Sequence, residues 1–372
     1  MKQFYKICMA ISGLSILGVI VMLLIGYRAE VGPLAVTFFI ALALGIRGTS
    51  LKGLSYTVWI FAAVTSSMFY PQYFTHIGDF QLKALIVPLM QIIMFGMGTT
   101  MSLNDFYGVV KMPKGVIAGL ICQFTIMPFV GLAIAKTFGF PPEVAAGVIL
   151  IGSSPCGLAS NVMNFIAKGN LALAITLTAV ATLIAPIMTP LLMKLLAGQF
   201  IAIAFWKMMF DVVKMVIIPV IAGLLFHHLI HGRAKWLDRA LPYVSMIGIA
   251  YIITIITAAG RDGLLTVGVL LIFAAILHNG LGYLFGYWAS RLIFRMDERS
   301  SRTVAIEVGL QNGGLASGIA LGMGKVATVG LAPAVFGPWM NISGSMLANF
   351  WRDRPPKDEI AQQCKDLDNV TE

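Results

Sequence analysis

The sequence predicts an all-α polytopic membrane protein of about twelve transmembrane helices, built as two inverted five-helix repeats behind two extra N-terminal helices. Three observations predict it. Of 372 residues, 58% are hydrophobic and 11% charged, against roughly 25% charged in an average soluble domain, so water is not the solvent around most of this chain. Apolar stretches of about 17 to 28 residues recur from one end to the other, each long enough to cross a hydrocarbon layer of about 30 Å as a helix. Finally, Gly157-Leu158-Ala159-Ser160 returns as Gly314-Leu315-Ala316-Ser317, an offset of 157 positions.

In chain order the stretches are 6–27, 32–47, 55–71, 82–100, 113–138, 142–168, 170–197, 206–231, 239–259, 264–293, 300–325 and 328–350. The first follows Lys2 and Lys6, as a signal peptide would, but it is too long and no small-residue cleavage site follows it, so a membrane helix is expected. With a cytoplasmic N-terminus and alternating crossings, most of the 26 basic residues fall inside, among them Lys111, Lys114, Lys168, Arg295, Arg299 and Arg352. The positive-inside rule thus supports the helix count and places both termini in the cytoplasm. The net charge of +10 follows from that asymmetry and implies no nucleic-acid partner. Cys8, Cys122, Cys156 and Cys364 form no C-x-x-C pair, so neither a disulfide framework nor a zinc site is indicated.

Shifting the spans between 55 and 197 by the same offset lands on the five assigned between 206 and 350. Each copy has an odd number of crossings, so the second lies upside down relative to the first, an arrangement used by secondary transporters. The divisions are an added helical hairpin at 1–52, a first repeat at 53–199, a second at 200–351, and a polar tail at 352–372 that is expected to be disordered.

Within each repeat the fourth span contains helix-weakening residues. Residues 152–161 read Gly-Ser-Ser-Pro-Cys-Gly-Leu-Ala-Ser-Asn, and 307–317 read Glu-Val-Gly-Leu-Gln-Asn-Gly-Gly-Leu-Ala-Ser. Both should unwind, and backbone freed at membrane depth must be buried in protein or line a wet cavity. Two such helices crossing near the midplane offer dipole ends for an anion and loose carbonyls for a cation. Only Glu307 and Asp211 lie well inside apolar spans. Glu307, beside Gln311 and Asn312, reads as a cation or proton site, the alternative being a structural carboxylate. Asp211 reads as a local ion pair with Lys214 three residues on. The hydroxyls, amides and carbonyls nearby are hard oxygen ligands that suit Na⁺. His278 reads as a helix-packing hydrogen bond, while His227, His228 and His231 sit at a cytoplasmic helix end.

Glu307-Val308-Gly309-Leu310-Gln311-Asn312, Leu158-Ala159-Ser160-Asn161-Val162-Met163, Gly96-Met97-Gly98 and Asn341-Ile342-Ser343-Gly344-Ser345 together resemble the bile acid:sodium symporter family, bacterial branch, over about residues 53 to 352. The resemblance implies a core and a panel domain, two broken crossing helices, and a bacterial inner membrane as the location. It implies two sodium sites: Ser160, Asn161, Thr178 and Glu307 in the first, and Gln123, Glu307, Val308, Leu310 and Gln311 in the second, partly through backbone carbonyls. It further implies substrate contacts from Ser160, Asn161, Asn312 and Asn341, with Gly96 and Gly98 on a facing panel helix. One departure stands out: Ala174 replaces the serine ligand that the pattern carries four residues before Thr178. The ligands that the resemblance implies are not repeated in the other half, where Asn161 maps onto Gly318 and Glu307 onto Leu150.

The function these expectations describe is sodium-coupled symport of an organic anion, bile acid-like or a small carboxylate such as pantoate, across a lipid bilayer. Proton coupling through Glu307 is the alternative. An intramembrane enzyme is not expected, since no H-E-x-x-H, G-x-S-x-G or paired carboxylates occur. A channel would want a polar pore or charged rings. No partner protein is implied, and a monomer would suffice.

Overall fold

A computed structural model describes residues 2–27, 30–49, 52–230, 235–354 and 356. Among the described residues the regular structure is helical apart from one short hairpin, His76–Ile77 paired with Phe80–Gln81. Its helices are α1 (Lys2–Leu24), α2 (Val31–Gly45), α3 (Ser55–Phe69), α4 (Gln72–Thr75), α5 (Ile86–Thr99), α6 (Leu103–Lys111), α7 (Pro113–Thr137), α8 (Pro142–Ser153), α9 (Ala159–Ile166) and α10 (Leu171–Leu192). The second half contributes α11 (Phe205–Val212), α12 (Ile218–Ile230), α13 (Lys235–Ala259), α14 (Arg261–Trp288), α15 (Glu298–Gly309), α16 (Gly313–Gly322) and α17 (Leu331–Arg352). A π turn, Val213–Ile217, joins α11 to α12. His231 and the tail beyond 356 lie outside the described residues.

Among the described residues seven helices are long and apolar enough to cross a membrane: Gln3–Leu24, Val31–Gly48, Leu82–Thr99, Pro113–Thr137, Leu171–Ala197, Phe205–Leu229 and Arg261–Ile293. Three shorter apolar helices accompany them, Pro142–Ser153, Tyr243–Ala259 and Gly313–Gly322. Two of these three are halves of the interrupted spans, which is why neither reaches full length alone. Their large exposed side chains, such as Leu14, Leu24, Val269 and Phe273, match a hydrocarbon surround.

Local chemistry sets the helix ends. Pro113 and Pro142 stand at the first turns of α7 and α8, where a missing N–H costs nothing. Asn170, Asp297 and Asn312 cap α10, α15 and α16, their side-chain oxygens accepting from the N–H of Leu173, Ser300 and Leu315 at 3.1, 2.9 and 2.9 Å. α6 had no counterpart in the sequence reading. It is a short amphipathic helix closed by a Ser102–Asp105 capping box and exposing Tyr107 and Val110.

The helices pack in two groups. In one, α5 packs on α12 and α13, α13 on α3, and the α1–α2 hairpin on α3. In the other, α7 packs on α8, α14 on α15 and α17, and α10 on α6, α7, α9 and α15. The α5–α12 crossing is tight enough to exclude side chains: a Cβ on Gly98 would lie 2.1 Å from the Val220 carbonyl oxygen, and one on Gly223 would lie 2.2 Å from that of Phe95. Gly98→Val should therefore destabilise the protein by about 3 kcal/mol or more, at the upper end of overpacking costs. Gly280→Ala, in open space within α14, should instead leave the midpoint of thermal unfolding in detergent at or slightly above that of wild type.

Candidate functional site

The two interruptions meet. Between α8 and α9, and between α15 and α16, the chain is extended, and the stretches cross as an antiparallel bridge at Cys156 and Gln311. Gly157 N donates to the Leu310 carbonyl at 3.0 Å, and Asn312 N to that of Pro155 at 2.7 Å. Backbone groups freed by a break must find partners inside protein, and here they do. The Ser153 carbonyl accepts from Thr189 Oγ1 at 2.7 Å, Ser154 from Gln123 Nε2 at 2.9 Å, and Gly309 from Asn279 Nδ2 at 2.6 Å. Val308 accepts from Gln311 Nε2.

Beside the crossing sits Glu307, only 2% exposed. Its Oε1 accepts from Asn164 Nδ2 at 2.9 Å and its Oε2 from Thr178 Oγ1 at 2.9 Å. Ser160 Oγ and Asn161 Oδ1 each lie 3.4 Å from Thr178 Oγ1, and Cys156 Sγ at 3.7 Å. The Thr178 hydroxyl has one proton, and its shortest oxygen contact, to Glu307, takes it. The cluster is rich in oxygen, and the donors around the carboxylate are neutral. Among the described residues no lysine, arginine or histidine forms an ion pair with Glu307, so burial of its charged form, which costs about 2.5 kcal/mol or more, is offset only by neutral hydrogen-bond donors. Ala174, fully buried one turn before Thr178, adds no oxygen.

The structure also brings Gln123, Gln311 and Val308 together. Gln123 Nε2 donates to Gln311 Oε1 at 2.7 Å. Its own Oε1 is buried without a hydrogen-bond partner. A lone buried acceptor between two broken helices fits a cation better than it fits a closed hydrogen-bond network. Both Glu307 oxygens, however, are engaged on the Asn164–Thr178 side, and the Leu310 carbonyl accepts from Gly157.

Of the residues expected at the substrate, Ser160 is buried within the Glu307 cluster, Asn161 is half-buried at its edge, and Asn312 caps α16. Asn341 is half-buried on α17. Gly98 faces the backbone of α12, and Gly96 lies against Leu241 and Ser245 of α13, within the first helix group. Met90 of α5 meets α16, its sulfur 3.1 Å from where a Cβ on Gly314 would lie. A correction concerns Asp211. No ion pair joins it to Lys214 among the described residues, because the π turn beginning at Val213 widens the helix and breaks the i, i+3 register. Asp211 instead lines a small cavity of about 110 Å³ with Lys207, Gly322 and Lys325. His278 makes the expected packing contact, Nε2 to the Met127 carbonyl at 3.2 Å.

The two half-helices that leave the crossing differ in cover. α16 packs against α5, α11 and α13, and Lys207 Nζ donates to the Gly322 carbonyl at its C-terminus at 3.1 Å. Lys325, just beyond, pairs with Glu143. α9 packs on α10, α15 and α17, and exposes Val162 at 57% and Phe165 at 72%. A cavity of about 440 Å³ opens at its end, lined by Phe165, Lys168, Gly169, Asn170, Leu171, Asp297 and Arg299.

Comparison with known proteins places these features in company. The model of the Sodium Bile acid symporter family matches residues 87–266. The uncharacterized sodium-dependent transporter YocS of Bacillus subtilis (strain 168) is 39% identical over 316 residues, 85% of this chain and 96% of the relative. The probable chloroplastic sodium/metabolite cotransporter BASS1 of Arabidopsis thaliana is 35% identical over 268 residues, covering 72% of this chain and 67% of its own. The ileal sodium/bile acid cotransporter of Cricetulus griseus is 30% identical over 247 residues, covering 64% and 69%.

The Glu307 geometry sets an expectation that needs no ligand. Thr178→Val removes a donor from a buried carboxylate while keeping its shape, and should destabilise the protein in choline chloride by about 1–3 kcal/mol. Thr178→Ser, which keeps the hydroxyl, should unfold close to wild type in the same thermal scan.

Proposed function

The chain belongs to the sodium bile acid symporter family, and we propose that it carries an organic anion into the cell together with sodium by alternating access. The observation that carries this reading is Glu307, a buried carboxylate in an oxygen-rich cluster at the crossing of two broken helices, with no protein cation beside it among the described residues. Hard cations take oxygen ligands, and a bound sodium ion supplies the positive charge that offsets Glu307.

Ser160, Asn161, Thr178 and Glu307 hold the first ion; Gln123, Glu307, Val308, Leu310 and Gln311 hold the second, with Gln123 Oε1 as the acceptor awaiting it. Ser160 and Asn161 belong to α9, Thr178 to α10 and Glu307 to α15, so an ion among them ties both broken helices to one position. Asn161, Asn312 and Asn341 offer amide donors to an anionic head group. The relatives' names speak of metabolites and of bile acid, and a small carboxylate such as pantoate or a bile acid-like anion fits a site whose donors are neutral amides. All these groups come from one chain, so a monomer suffices.

Twelve crossings, with inverted repeats at 53–199 and 200–351 behind the 1–52 hairpin, set the orientation in the cell membrane: both termini, including the 352–372 tail, and the open α9 side face the cytoplasm. This conformation is then inward-facing, with Lys207 closing α16 outside. In proteoliposomes, uptake of at least one of pantoate, pyruvate and taurocholate should rise with an inward sodium gradient, stay at background in choline, and be lost in Glu307→Gln. Uptake driven equally by a proton gradient without sodium would overturn the coupling assignment.

A further inference from the structure

Asn164 was not among the residues singled out by sequence, yet its side chain meets Glu307 Oε1, while Thr178 meets Oε2. It is fully buried, at 0% exposure. Its Nδ2 donates to Glu307 Oε1 at 2.9 Å and to the Ser160 carbonyl at 3.0 Å. Its Oδ1 has no hydrogen-bond partner. That oxygen lies on the side of Gly169 and Thr303: a Cβ on Gly169 would be 2.8 Å from Asn164 Oδ1 and 2.7 Å from Thr303 Oγ1. The amide is therefore satisfied on its donor end alone, although a hydroxyl stands near the other end.

Turning the amide over about its terminal bond exchanges these roles. Nδ2 would then face Thr303 Oγ1, and Oδ1 would join Glu307 Oε1 and the Ser160 carbonyl around the place its N–H groups now occupy. Three oxygens converging there repel one another without a cation and coordinate one when it is present. Ala174, fully buried on α10, leaves the neighbouring position without an oxygen. We propose that Asn164 is a sodium ligand of this chain, supplying from α9 the side-chain oxygen that Ala174 does not supply from α10, and that its amide turns from Glu307's donor into an ion ligand when sodium binds. The proposal rests on the sodium reading of Glu307.

Sodium titration of thermal unfolding tests it, with choline chloride holding ionic strength constant on the detergent-purified full chain. Wild type should rise in midpoint with sodium. Asn164→Leu, which keeps the volume but offers neither donor nor oxygen, should need about tenfold more sodium or beyond for half the rise, as loss of support at a metal site does. Asn164→Asp, which keeps an oxygen at this position, should keep the sodium response, and Ala174→Ser should restore it to Asn164→Leu. If Asn164→Leu responds like wild type, or Asn164→Asp loses the response as fully as Asn164→Leu, Asn164 is not a ligand and the sodium reading of Glu307 stands without it. A wild type that ignores sodium overturns both. Should Asn164→Leu fail to fold, Asn164→Ala takes its place, with the same loss of about tenfold expected and a wild-type sodium response overturning the ligand role.

Discussion

Two backbone hydrogen bonds, Gly157 N to the Leu310 carbonyl and Asn312 N to the Pro155 carbonyl, are the constraint on which the rest of this molecule depends. An interrupted helix at membrane depth leaves polar backbone that lipid cannot satisfy, and each interruption here supplies partners to the other. Of the side chains that complete the accounting, Gln123, Thr189 and Asn279 come from three different helices and Gln311 from the crossing itself. The crossing thus fixes the positions of α7, α10, α14 and α15 relative to one another, and places the Glu307 side chain where no lipid reaches it.

A carboxylate so placed is the unstable member of an otherwise satisfied arrangement. Hydrogen bonds from Asn164 and Thr178 orient it without cancelling its charge. The same isolation that makes a lone carboxylate costly would make a bound cation effective, because the attraction acts in a medium of low dielectric. The residues proposed to hold it sit on α9, α10 and α15, so neutralising one charge would change how three helices hold together. The uneven cover of α9 and α16, one open and one packed under α5, α11 and α13, is the kind of asymmetry that such a change can reverse.

The breaks were legible in the sequence because glycine, proline and serine interrupt apolar runs at 152–161 and 307–317. Glu307 was legible because a carboxylate inside such a run needs a reason. Ser160, Asn161 and Thr178 entered through family resemblance, since a hydroxyl or amide on a membrane helix carries no address. Asn164 was missed for that reason: its contact to Glu307 spans 143 residues of chain, and no local spacing announces it. Gly96 and Gly98 entered through the resemblance as residues facing the substrate; the close approach of Gly98 to α12 depends on a partner more than 120 residues away, which no local pattern announces. Asp211 and Lys214 were misread because spacing arguments assume α-helical rise, which the π turn at Val213–Ile217 interrupts. α6 was passed over because nine residues are too few to cross a membrane, although the Ser102–Asp105 capping box marks its start.

Direct binding of radioactive sodium ion to detergent-purified protein, read by scintillation proximity, addresses the central claim without knowledge of the substrate. The account predicts saturable binding that potassium and choline do not displace, and its loss in Glu307→Gln, with that variant still unfolding cooperatively. Equal saturable binding in Glu307→Gln, or none in a well-folded wild type, would contradict it.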